Sequence, residues 1–397
     1  MTSWRTRSAT VAVMLGITTS ALMQTVLATA MPQMAQELGS EGLYGWVFAS
    51  YLLASTITLP TFGQLADRWG SRPVFLTGIG CYALGTALTA AAISMPMLIA
   101  ARLIQGLGAG ALVPAALAVV ASLAGREGRG SLFGTIGVIQ VLSSIVGPVL
   151  GGWFTDGPGW RWSLWVVVPF AAAAGVLARL SFPRAHARTM RSAVRGLDPW
   201  QPLRQLCRGR TLQGLTASAF ALGIVLVSAT ALVPLLAQNG LGRTATESGV
   251  VLVPLMVGVG LGSIVGGRLA QRAGPLMMRL GWVAIALGAC TLAVVSADAR
   301  PASPVLLTGI GGAVVGLGIG SIQPTLLIRT QDEAAPDQVA AAGALVPFAR
   351  NLGGAAGTAA LGLVMLAPSL TVGIATAFAV LVLVAIVGAS LGRWRPV

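Results

Sequence analysis

Apolar runs of membrane-spanning length, repeated from one end of the chain to the other, constrain this sequence more than any other feature. Crossing a hydrocarbon core of about 30 Å takes about 20 helical residues. Twelve stretches fit, near 9–31, 43–62, 73–94, 96–122, 132–154, 161–181, 211–237, 246–267, 275–297, 303–328, 338–365 and 368–391. Within a bilayer, backbone polar groups must be satisfied internally, which leaves helices or closed barrels. A barrel would alternate apolar and polar residues over segments of about ten residues, and these runs are continuously apolar. Charged residues make up 9% of the chain, against about 25% in a soluble domain. The expected fold class is an all-α polytopic membrane protein with twelve transmembrane helices.

The formal charge of +14 would suit a nucleic-acid binder, but the positions of the charges exclude that. All 25 basic residues are arginine, and alternating the loops across the membrane puts twenty on one side and three (Arg161, Arg243 and Arg300) on the other. The positive-inside rule then places both termini in the cytoplasm, with the lipid bilayer itself as a partner through anionic headgroups. An odd number of spans would scramble this segregation. Absence of lysine beside abundant Ala, Gly and Arg suggests a GC-rich bacterial genome, and so a bacterial cytoplasmic membrane. The first run, Ala9 to Met31, is too long for a typical signal-peptide core and is expected to be a retained helix. Cys81, Cys207 and Cys290 have no metal-ligand spacing.

The longest polar segment, 182–210, holds seven of the arginines. It divides the chain into an N-terminal bundle, 1–181, and a C-terminal bundle, 211–397, joined by a basic cytoplasmic linker. The two halves are related. Gly63-Gln-Leu-Ala-Asp-Arg-Trp-Gly70 recurs as Gly267-Arg-Leu-Ala-Gln-Arg-Ala-Gly274, with five of eight positions kept at an offset of 204 residues. Gly106-Leu-Gly-Ala-Gly-Ala-Leu-Val-Pro114 recurs as Gly316-Leu-Gly-Ile-Gly-Ser-Ile-Gln-Pro324 at an offset of 210. A duplicated six-plus-six chain points to a carrier that rocks one half against the other.

These motifs carry a family resemblance. The turn 63–72, with Gly63, Asp67, Arg68, Gly70 and Arg72, resembles the loop 2–3 signature of the major facilitator superfamily. Arg102, Gln105, Gly106 and Gly108 resemble its span 4 signature. Gly134, Gly147-Pro148 and Gly151-Gly152 resemble the span 5 pattern of exporters, with Ser143 in place of its middle glycine. Together with Arg350-Asn-Leu-Gly-Gly in span 11, the chain is similar to multidrug exporters of the fourteen-helix drug:proton antiporter branch. That resemblance implies two bundles, alternating access, a small-molecule substrate and protons as coupling ion. It also implies that Asp67 faces span 11 as a conformational latch, and that the span 5 seam limits leak. The chain departs from that branch in two places. Only the linker stands where two central helices are expected, and Met23 stands where span 1 usually has an acid.

The residues also support physical readings of their own. Gly63 and Gly70 permit a tight turn, and Asp67 can stabilise a facing helix N-terminus. Arg102 sits at membrane depth, where an unpartnered charge costs at least about 2.5–3.5 kcal/mol. Backbone carbonyls and Gln105 are its available acceptors, and a transport role is preferred to bracing. Arg350 is read as bracing, close enough to the cytoplasmic end to snorkel. At 100° per residue Gln140, Ser144, Gly147 and Gly151 share one face of span 5, and Pro148 frees a carbonyl and bends the helix. Gln24, Thr25, Gln140, Ser144, Gln323 and Asn351 are candidate cavity residues, while Tyr51, Tyr82, Phe220 and Phe348 are read as packing.

Nothing in the chain supports an enzyme. It has no intramembrane His, no paired carboxylates and no lysine for a phosphate-binding loop, so no cofactor, metal or direct ATP drive is expected. All eleven acids fall in loops or at span ends. Asp67, Asp156 and Glu37 are the remaining proton candidates, and a facilitator or substrate-gradient carrier is the rival mechanism. A cavity with Arg102 and no acid should disfavour lipophilic cations. The expected substrate is therefore a neutral or anionic amphiphile, carried by a monomer.

Overall fold

A computed structural model describes residues 3–123, 129–182, 209–297, 304–334, 339–364, 367 and 369–391. The side chains of some helical residues in these ranges, Asp67 and Arg68 among them, lie outside that description, as do linker residues 183–208. The described chain is helical throughout, without a strand. The helices are α1 (Ser3–Leu38), α2 (Tyr44–Trp69), α3 (Ser71–Ala90), α4 (Met95–Leu123), α5 (Arg129–Asp156), α6 (Trp160–Trp165) and α7 (Val167–Ser181). After the linker come α8 (Arg210–Leu235), α9 (Ala245–Ala297), α10 (Pro304–Asp332), α11 (Val339–Val364) and α12 (Leu370–Leu391). Among the described residues, eight helices are long and apolar enough to cross a membrane.

Two elements agree with the sequence reading once their dihedrals are followed. The run 161–181 carries a one-residue turn at Val166, whose φ of −62° and ψ of −28° stay helical, and the runs 246–267 and 275–297 are the two arms of α9. Helix α9 is interrupted at Ala273, whose φ of −138° and ψ of 31° are not helical, just before Gly274-Pro275. Its two arms fold back on each other, as their contacts with α10 require. Gly258, Gly262 and Gly266 abut residues 313, 317 and 321 in ascending order, whereas Gly281 and Gly288 abut residues 318 and 311 in descending order. The hairpin is thus two antiparallel arms.

The same arrangement exists in the first half, where α2 runs parallel and α3 antiparallel to α4. Gly106 rests on the backbone of Tyr51 and Gly110 on that of Ser55; Gly316 rests on Leu255 and Gly320 on Val259. These partners stand apart by the 210- and 204-residue offsets of the sequence repeat. A Cβ at Gly106 would come within 2.5 Å of the Tyr51 carbonyl oxygen, so the repeated glycines are what allow the backbones to touch. With no hydrophobic force between helices in lipid, such small-residue contacts supply the packing. Turn 63–72 is made by Gly70, whose φ of +91° separates α2 from α3 and suits only glycine.

Helix α1 is the central post, with Met23, Leu27, Met31 and Met34 fully buried. Large apolar side chains such as Leu287, Val294, Leu383 and Ile386 are instead more than half exposed. A surface of this kind is stable against lipid.

Candidate functional site

Between the helices before the linker and those after it lies a cavity of about 380 Å³. Its wall combines side chains from α1, α2, α4 and α5 with others from α8, α9, α10 and α11. Of the residues singled out in the sequence, it brings together Gln24, Thr25, Arg102, Gln140, Ser144 and Gln323. Asn351 is not on this wall, but its neighbour Arg350 is. Met23 is also absent from the wall, being packed in the core. Among the described residues, no Asp or Glu lines the cavity.

Arg102 is 1% exposed and held on three sides. Its Nε donates to the Val47 carbonyl at 3.2 Å, its Nη1 donates to Gln105 Oε1, and its guanidinium lies 4.3 Å over the Tyr51 ring. Gln105 is itself fixed by donating from Nε2 to Thr86 Oγ1 at 2.8 Å, and the Tyr51 hydroxyl pairs with Ser20 Oγ at 3.1 Å. The cost of the buried cation is thus offset by hydrogen bonds and a ring face rather than by a counter-charge. Tyr51, read as packing in the sequence, is one wall of this arrangement. It and Arg102 are 51 residues apart, and no local pattern signals a contact between different helices.

Arg350 also departs from the sequence reading. It is the twelfth residue of α11, about 17 Å from the helix start at 1.5 Å per residue. There it lines the cavity.

Helix α5 has a face for each partner. Gln140 and Ser144 reach the cavity, and Ser144 Oγ donates back to the Gln140 carbonyl at 2.9 Å. One turn further on, Gly147 and Gly151 sit against Thr25, Val26 and Thr29 of α1. The neighbouring positions close onto α9, with the Pro148 carbonyl against Gly249 and Gly152 against Ala245 and Thr246.

At the C-terminus of α5, both carboxylate oxygens of Asp156 accept from the first amides of α9, Ala245 N at 2.9 Å and Thr246 N at 2.7 Å. These are amides that the helix itself leaves unpaired. Thr244 and Glu247 complete the helix start with a reciprocal capping box, a signal readable in the Thr-x-x-Glu spacing. Tyr44 Oη donates to the Ala231 carbonyl at 3.3 Å, and Gln238 Nε2 donates to the Thr29 carbonyl at 2.8 Å. These four hydrogen bonds run from the helices before the linker to residues after it, and the Thr244 and Thr246 side chains add to the two at Asp156. All lie at the end remote from the 63–72 turn. Glu37, at the same end, accepts from Trp160 Nε1 at 2.6 Å and pairs with Arg161.

At the turn itself, Arg72 Nη2 donates to the Arg179 carbonyl at 2.6 Å, tying α3 to α7. Gly63 stands near Pro114 of α4. The side chains of Asp67 and Arg68, and with them the expected latch to α11, lie outside the described residues.

The sequence matches the Major Facilitator Superfamily over residues 13–358. It is 29% identical to the multidrug transporter protein MdtP of Bacillus subtilis (strain 168), over 88% of this chain and 73% of that one. It is 28% identical to the multidrug resistance protein B homolog of Mycobacterium tuberculosis (strain ATCC 25618 / H37Rv), over 86% and 73%. The crystal structure of a bacterial homologue of the human lysosomal transporter Spinster, inward-facing and unoccupied, shares the fold at a TM-score of 0.77 and 14% identity, over 100% of both chains. Matched along most of its length and folded in the same way, the chain belongs to the major facilitator superfamily.

Proposed function

We propose that this transporter exports a small neutral or anionic amphiphile, drug-like or lipid-like, across a bacterial cytoplasmic membrane by alternating access. The observation that carries this reading is the cavity wall, which holds two arginines and, among the described residues, no acid. A lipophilic cation would find no counter-charge there and two like charges in a low dielectric. The cavity's about 380 Å³ falls within the about 300–1,000 Å³ common for small-molecule sites. Export is supported by the likeness to proteins named for multidrug transport and multidrug resistance, and by the span 5 pattern.

In this reading the chain makes twelve passes with both termini in the cytoplasm, as bundles 1–181 and 211–397 joined by the linker 182–210. The four hydrogen bonds remote from the 63–72 turn then form an outer seal, and the state described is closed to the outside. Turn 63–72 acts as the conformational motif on the cytoplasmic side, and Gly147, Pro148, Gly151 and Gly152 let span 5 close against both neighbours. Arg102, fixed by Gln105, serves the transport cycle as a positive element in the wall.

Proton antiport is the driving mechanism preferred, with Asp67 as its first candidate residue. A second reading, a facilitator or substrate-gradient carrier, is favoured by one specific observation, a cavity wall without a carboxylate. Proteoliposomes with an imposed pH gradient separate the two. Substrate-dependent proton flux supports antiport, and substrate movement without it leaves the facilitator.

A further inference from the structure

The two cavity arginines are not equivalent. Arg102 has its Nε, one Nη and its ring face committed to Val47, Gln105 and Tyr51. The guanidinium of Arg350, among the described residues, makes no hydrogen bond and no ion pair, although a guanidinium carries five donors. Its backbone has little freedom to turn the side chain elsewhere. A Cβ at Gly223 of α8 would strike the Arg350 carbonyl, and one at Gly353 would strike the Phe220 carbonyl, so α8 and α11 are in backbone contact one turn apart. Arg350 is therefore held at a partly open wall, about three turns from the start of α11, with its donors unspent.

We propose that Arg350 is the anchor for the oxyanion head group, carboxylate or phosphate, of an amphiphilic ligand in this cavity; the proposal rests on the cavity being the transport site. A guanidinium fork binds such groups through two parallel N–H···O bonds. Nearby, Gln140, Ser144 and Gln323 offer neutral donors and acceptors, and Leu226, Met256 and Val259 offer apolar surface for the tail. Arg102 acts as a positioning residue, adding positive potential from the opposite half without needing to touch the ligand. An oxyanion on Arg350 in α11 that also meets Gln140 and Ser144 on α5 bridges the two halves, so ligand binding and closure of the cavity become one event.

The test is equilibrium binding of radiolabelled decanoate and radiolabelled decanol to the full-length transporter in nanodiscs, with unlabelled decyltrimethylammonium as competitor. One charge-assisted bidentate contact predicts a decanoate preference of about tenfold over decanol. Arg350→Gln should abolish that preference while leaving decanol affinity unchanged, and Arg350→Lys should retain part of it. Equal binding of decanoate and decanol by the wild type overturns the head-group assignment alone. So does a preference that survives in Arg350→Gln, or a variant that loses decanol as well, since the arginine would then be bracing α11. Strongest competition by decyltrimethylammonium overturns this assignment and the neutral-or-anionic reading together.

Discussion

Arg102 shows how a charge is kept in a membrane without a counter-ion. Its partners are a carbonyl, an amide and a ring, and the amide is in turn held by Thr86. The arrangement fails in a predictable order. Gln105→Leu removes a buried acceptor from a charged donor, a loss of about 1.5–3 kcal/mol, and should lower the thermal unfolding midpoint in detergent by several degrees. Tyr51→Phe keeps the ring face and loses the hydroxyl's contacts with Ser20 and Gln24, neither of them to the guanidinium, so its midpoint should fall less. Equal losses would show that the Tyr51 hydroxyl secures the arrangement as much as the Gln105 amide does. Arg102 and Gln105 were legible in the sequence because a charge at membrane depth requires a nearby acceptor. Tyr51 and Arg350 were not, since the first contact spans two helices and the second depends on which way α11 faces.

Among the elements, α5 carries one of the contacts between the halves, alongside that of α2 with α11, and Asp156 is its distal end. Partial burial pushes its carboxyl upward, but hydrogen bonds from the Thr246 side chain and backbone, the Ala245 backbone and Thr244 outweigh this. The net effect holds the group below its ordinary value of 3.8. A carboxyl depressed in the closed form stabilises that form above its ordinary value, and the stabilisation is lost as pH falls through the depressed one. The seal should therefore be unchanged between about pH 7 and about pH 5, both above the carboxylate range. Spin labels at the adjoining ends of α5 and α9 should report one distance distribution across that interval. Asp156→Ala should shift it toward longer distances at both pH values. A wild-type distribution that broadens by about pH 5 would instead make Asp156 a working proton site. The glycine seam of α5 was legible from Gly147, Pro148, Gly151 and Gly152. Its division, with two positions facing α1 and two facing α9, was not, because a one-dimensional spacing gives a face and not the neighbour on it. The two runs read in the sequence at 246–267 and 275–297 stand in the structure as the two antiparallel arms of α9, with the turn at Ala273 just before Gly274-Pro275.

For the whole molecule, the repeat was the most legible property, since two motif offsets reappear as two matched sets of backbone contacts around α4 and α10. It is also asymmetric. The second turn has Gln271 where the first has Asp67, so only the first can offer a carboxylate to a facing helix. Asp67→Asn should insert and fold as the wild type does, giving the same yield and monodispersity, yet transport substrate several-fold more slowly. Full activity would reduce the turn to a topology signal. The proposed substrate preference likewise belongs to the assembled molecule, because the cavity charge comes from α4 and α11 together. Its most direct test is uptake into everted membrane vesicles of amphiphiles that share a tail and differ only in head charge, with ethidium as the cationic reference. The neutral and anionic probes should accumulate above protein-free controls and ethidium should not; ethidium accumulation equal to or above theirs would contradict the cavity's reading as a site for neutral and anionic molecules.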